Sequence, residues 1–100
     1  MAKTRVFDAA AYLDSREAIA AYLSEAFETR DPAFVTEALG TVARAQGMAA
    51  IAKETGLSRE NLYKALSADG HPEFSTVMKV LDSLGVQLLA EPRAAKTKVA

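Results

Sequence analysis

The sequence predicts an all-α fold. Apolar residues recur at i, i+3, i+4 and i+7 in successive stretches, and capping residues and prolines open those stretches. Glycines close them, and no linker between them is long enough to divide the chain.

Residues 1–13 (MAKTRVFDAAAYL) show no clear period and read as an N-terminal arm, with Phe7, Tyr12 and Leu13 as anchors onto the body. After Asp14 and Ser15, either of which suits an N-cap, the stripe Ala18, Ile19, Tyr22, Leu23, Ala26, Phe27 predicts a helix over 16–29. Asp14 with Glu17 resembles a reciprocal cap. Asp31 and Pro32 open a second helix, because proline at the first helical position loses only an N–H that would have no partner there. Its stripe is Phe34, Val35, Ala38, Leu39, Val42 and Ala43, ending near Gly47. Two short helices follow in MAAIAKET and RENLYKAL, each too short to stand alone. SADGHPEF breaks the pattern. Ser75 is then placed to cap a last helix through Val77, Met78, Leu81 and Leu84, closed by Gly85, with Met48 and Met78 as core filler. VQLLAEP reads as a strand or an extended arm, and RAAKTKVA as a loose tail. The expected organisation is an arm over 1–13, one helical domain over 14–92 and a flexible tail over 93–100.

Bulk properties set the bounds. The chain has 100 residues, half of them hydrophobic and a quarter charged, enough for one core that buries roughly 60–68% of the unfolded surface. There is no cysteine, hence no disulfide framework and no thiolate metal site. No apolar run approaches the roughly 18 residues of a membrane span, and the start lacks the apolar segment of a secretion signal. The expectation is a soluble cytoplasmic protein. The net charge of −1 gives no global basic footprint. The charge is unevenly spread, however. Residues 1–40 hold four Lys/Arg against seven Asp/Glu, whereas 41–80 hold five against four and 81–100 three against two. An acidic part and a mildly basic part can thus face different partners.

The stretch MAAIAKETGLSRENLYKAL (48–66) carries the chemistry. A glycine inside a helix costs about 1 kcal/mol relative to alanine, so Gly56 reads as the end of one helix, in a turn that needs a positive φ. Ala52, one turn earlier, is small enough for two helices to cross closely, and Ser58 can cap the second. With about 100° per residue and Leu62 at the centre of the inward face, Ala65, Leu66 and Ser58 fall within about 60° of it. Glu60, Tyr63, Lys64 and Ser67 lie opposite, and Arg59 and Asn61 on the flanks. This is the helix-turn-helix pattern, with the motif at 48–67. The outward set suits a major groove: Arg59 and Lys64 can donate to guanine, Asn61 can bridge adenine, and Glu60 can accept from cytosine. Tyr63 and Lys53 suit phosphate or a thymine methyl, with Ser58 in support.

The segments FDAAAYLDSREAIAAYL, DPAFVTEALGTVARAQGM, IAKETGLSRENLYKALS and FSTVMKVLDSLGV resemble the probable addiction module antidote proteins. These are HigA-like antitoxins with a lambda-repressor-like, XRE-type helix-turn-helix. The resemblance runs from about Phe7 to Pro92. It implies a lambda-repressor-like five-helix domain with an N-terminal helical extension and a short C-terminal arm or strand. It also implies a homodimer on a palindromic operator in double-stranded DNA, repression of its own operon, and neutralisation of a small basic toxin of the RelE/ParE superfamily. The acidic excess in 1–40 would suit that toxin. Related repressors often carry Gln or Ser near the start of the first motif helix, bonding phosphate; here those positions are Ala49 and Ala50, leaving only backbone N–H groups there.

Other chemistry is absent from the pattern. His71, the only histidine, sits between glycine and proline and reads as a loop residue with a phosphate contact, not a ligand or base. No metal spacing, nucleophile elbow or phosphate loop occurs, and Glu17, Glu25 and Glu28 read as a solvated face. No enzyme, cofactor or metal is expected. Two rivals remain beside the antitoxin: a protein-interaction module that has lost DNA binding, and a stand-alone transcriptional regulator.

Overall fold

Ser15 starts the first helix of the computed structural model, which describes residues 13–93. Its Oγ accepts from the Ala18 amide at 3.0 Å, and α1 runs over Arg16–Glu28 with Thr29 as C-cap. Ser15 rather than Asp14 takes the cap. The residue placed to reach back is then Ala18, so the Asp14–Glu17 reciprocal cap has no register in which to form. At the following corner Arg30 adopts a left-handed φ of 60°. Asp31 then caps α2 (Pro32–Gln46): its Oδ1 accepts from the Ala33 and Phe34 amides at 3.1 and 3.4 Å.

Gly47, at φ 103°, separates α2 from α3 (Met48–Thr55). A turn at 56–58 leads to α4 (Arg59–Ala65), and α5 (Phe74–Leu84) closes on Gly85 at φ 78°. Among the described residues the order is five helices with no strand. The start of α5 differs from expectation. Glu73, directly after Pro72, takes the N-cap position, and Ser75 lies inside the first turn. Proline fixes the backbone just ahead of the helix, so the helix begins as soon as the chain leaves it. Val86 to Pro92 forms an irregular arm. Val86 packs on the core and its N–H donates to the Leu81 carbonyl at 3.1 Å, while Leu89 is 79% exposed.

α1 packs on α2, and α3 nests against α2 and α5. Leu39, Val42, Leu62, Leu66 and Val80 are the largest side chains shut off from solvent. Leu13 is buried beside them, its carbonyl accepting from Gln46 Nε2 at 3.2 Å; Phe7 and Tyr12 lie outside the described residues. Two expected core positions are not core. Phe34 is 46% and Met78 45% exposed, because periodicity marks a helix's apolar side without saying whether a neighbour covers all of it. Met48 is buried as expected. Among the described residues no helix is long and apolar enough to cross a membrane, and no group of three His, Cys, Asp or Glu could hold a metal.

Candidate nucleic-acid interface

Gly56 ends α3 in the left-handed conformation, φ 77° and ψ 11°, with its N–H donating to the Ala52 carbonyl at 2.9 Å. Nothing lies within 4 Å of where a Cβ would stand, so the demand at this position is purely on the backbone. Thr55 fastens the bend. Its Oγ1 donates to the Ile51 carbonyl at 2.8 Å and accepts from the Leu57 amide at 3.3 Å. Leu57 packs half-buried against the core, which pins the turn from beneath.

Ser58 then caps α4 as expected, its Oγ accepting from the Asn61 amide at 3.0 Å. Leu62 and Leu66 hold the helix to the body at 1% exposure each, with Ala65 half-buried beside them. Each buried leucine contributes roughly 1.5–3 kcal/mol, far more than the intrinsic propensity of so short a helix. The other side is open: Ser58, Arg59, Glu60, Asn61, Tyr63 and Lys64 are exposed, Tyr63 by 44%. Lys53 is exposed near the end of α3. All seven candidate residues thus lie at the surface on α3, the turn and α4. Ser67 does not join them; it is half-buried and its hydroxyl donates to the Lys64 carbonyl at 2.9 Å.

Two further residues position α4. A Cβ on Gly40 of α2 would stand 2.2 Å from the Leu66 carbonyl oxygen, and one on Gly70 would stand 2.2 Å from that of Ala65. The C-terminal turn of α4 therefore rests directly on two glycines. The signal for Gly40 was a glycine in the middle of an otherwise regular apolar stripe. At the N-terminus of α3, Ala49 and Ala50 are exposed, and the N-cap Gly47 offers no side chain. His71 is exposed in the loop after α4.

A protein-family model described as "Probable addiction module antidote protein" matches residues 3–92. The chain belongs to this family. A protein of Haemophilus influenzae (strain Rd), described as uncharacterized, is 48% identical over 81 residues, covering 81% of this chain and 84% of that one. No solved structure matches the chain significantly. The antidote family is the one that the segments from Phe7 to Pro92 resemble.

Proposed function

We propose that this antidote-family chain is the antitoxin of a type II toxin–antitoxin module, HigA-like in kind. It binds its operator through a lambda-repressor-like, XRE-type helix-turn-helix formed by α3 and α4. A homodimer grips a palindrome in double-stranded DNA and represses its own operon, and the same chain neutralises a small RelE/ParE-like toxin. It acts in the cytoplasm, as a binding protein and not an enzyme, with residues 14–92 as its working unit.

One observation carries the DNA reading. α4 is anchored by Leu62 and Leu66, while Arg59, Glu60, Asn61 and Lys64 stand exposed around it. A helix held from one side, with donors and acceptors on the other, is what a major groove accommodates. Arg59 and Lys64 read guanine, Asn61 adenine and Glu60 cytosine, while Ser58, Tyr63 and Lys53 support from the backbone side. Arg59→Ala is expected to weaken operator binding by about 1–3 kcal/mol and to relax specificity at one base pair. A mobility shift on the protein's own upstream DNA against random DNA checks this. Equal losses on both would mean that Arg59 touches only phosphate.

A second reading has one observation in its favour. Ala49 and Ala50 give the N-terminus of α3 no side-chain donor for phosphate, which suits a module that sequesters a protein partner and no longer binds DNA. No salt-sensitive shift on the upstream DNA would select it.

A further inference from the structure

The seat of α4 holds a cation outside the helix-turn-helix itself. A Cβ on Gly40 would meet not only the Leu66 carbonyl but also Nη1 of Arg44, at 3.2 Å. The Arg44 guanidinium therefore lies across that glycine from Leu66, the C-cap of α4. Arg44 belongs to the last turn of α2, and its side chain folds back along the helix, as long helical side chains do. Its Nη2 donates to Thr41 Oγ1 at 3.4 Å, and that hydroxyl donates in turn to the Glu37 carbonyl at 3.2 Å. Held in this way, Arg44 is still exposed.

Size decides what a cation in that place can meet. A helix with its side chains is about 10–12 Å across, so it fills a major groove about 12 Å wide. With α4 in the groove, a residue of α2 seated on α4 stays outside, level with the phosphates at the rim and out of reach of the bases. Electrostatics gives such a cation a task. The carbonyl end of a helix carries roughly half a negative charge, which would repel a phosphate beside the C-cap of α4. A whole positive charge at that end reverses the sign. Exposed carboxylates on neighbouring segments, Glu37 and Asp69, act against it, so the gain depends on direct contact and not on a general basic field.

We propose that Arg44 is a phosphate-contacting residue, gripping the DNA backbone beside the C-terminal end of α4. The assignment rests on the DNA-binding reading and deepens it. Ala49 and Ala50 leave the start of α3 without a side-chain donor for phosphate; Arg44 supplies one from α2 instead.

The test compares the full chain with Arg44→Gln and Arg44→Lys, titrated onto the protein's own upstream DNA and onto random DNA between about 50 and 200 mM salt. Glutamine removes the charge and keeps a donor for Thr41; lysine keeps the charge. Arg44→Gln is expected to weaken binding to both DNAs by the same factor and to lower the logarithmic salt slope by about one per protomer. Over that range the unsubstituted protein then loses about three- to fourfold more affinity per protomer than the variant does. Arg44→Lys should keep the original slope. The Leu66 amide, which donates to the Leu62 carbonyl at 2.9 Å, reports whether α4 stays seated, and its hydrogen-exchange protection should survive both changes. An unchanged slope in Arg44→Gln, a loss confined to the upstream DNA, or a lysine variant that behaves like the glutamine one would overturn the proposal. So would loss of Leu66 protection in both variants, which would leave Arg44 only the task of holding α4 in place. The two levels separate cleanly. If the unsubstituted protein shows no salt-sensitive binding, the DNA reading falls and the role of Arg44 with it. If it binds with a steep slope that Arg44→Gln does not change, only the role of Arg44 falls.

Discussion

Gly56 and Gly40 are glycines for opposite reasons, and the difference can be measured. Gly56 sits at φ 77° in open space, so any side chain fits but an L-residue is strained. Gly40 is an ordinary helical residue whose missing Cβ leaves room for the Leu66 carbonyl. Gly56→Ala should cost about 1–2 kcal/mol in urea unfolding, the left-handed penalty. Gly56→Asn should cost less, because asparagine tolerates that conformation. At Gly40 the order reverses. Alanine should cost about 1–3 kcal/mol through overpacking, and asparagine more. Gly56 was legible in the sequence because a glycine is costly inside a helix and Ser58, two residues on, can cap a new one. Gly40 stood out only as a glycine inside an apolar stripe; its reason was not legible, since the Leu66 carbonyl it meets comes from far along the chain. Neither was the exposure of Phe34 and Met78, whose stripes looked continuous with the core.

At the scale of the elements, most helix boundaries were readable because they are written in local chemistry. Asp31 with Pro32 opens α2, and Gly47, Gly56 and Gly85 close α2, α3 and α5. The exception, Ser75 against Glu73, arises where two neighbouring residues could each start the helix and the preceding proline decides. α4 shows what such local chemistry is worth. It spans seven residues, below the length at which a helix is stable alone, so its cap and its two buried leucines carry it. Ser58→Ala should destabilise the protein by about 1 kcal/mol. The amide of Asn61, which loses its acceptor, should exchange faster in hydrogen-exchange NMR than the amides of α2. Ser58→Asp should restore both, because a carboxylate caps equally well and favours the N-terminal end of the dipole. If Ser58→Ala leaves the Asn61 amide protected, packing of Leu62 alone defines the helix start.

For the whole molecule, the proposed operator binding requires a chain of net charge −1 to hold a polyanion. The balance differs locally: α3 and α4 carry exposed Lys53, Arg59 and Lys64 against Glu54 and Glu60, whereas the 27–39 stretch carries Glu28, Asp31 and Glu37 against Arg30. In the proposed dimer, these three cations on each protomer would neutralise about six phosphates, which gives a logarithmic salt slope of roughly −5 from them. Lys53 is the residue best suited to a pure backbone contact, because it lies on α3 before the bend and not on α4, the helix proposed to read bases. Lys53→Ala should therefore weaken binding to operator and random DNA alike, and reduce the slope by about one per protomer. Arg59→Ala should instead narrow the gap between operator and random DNA. The two variants separate positioning from readout in one set of titrations between low and physiological salt. An unchanged slope in Lys53→Ala would mean that the end of α3 does not approach the phosphates, and that α4 meets the groove at a steeper angle than the bend at Gly56 implies.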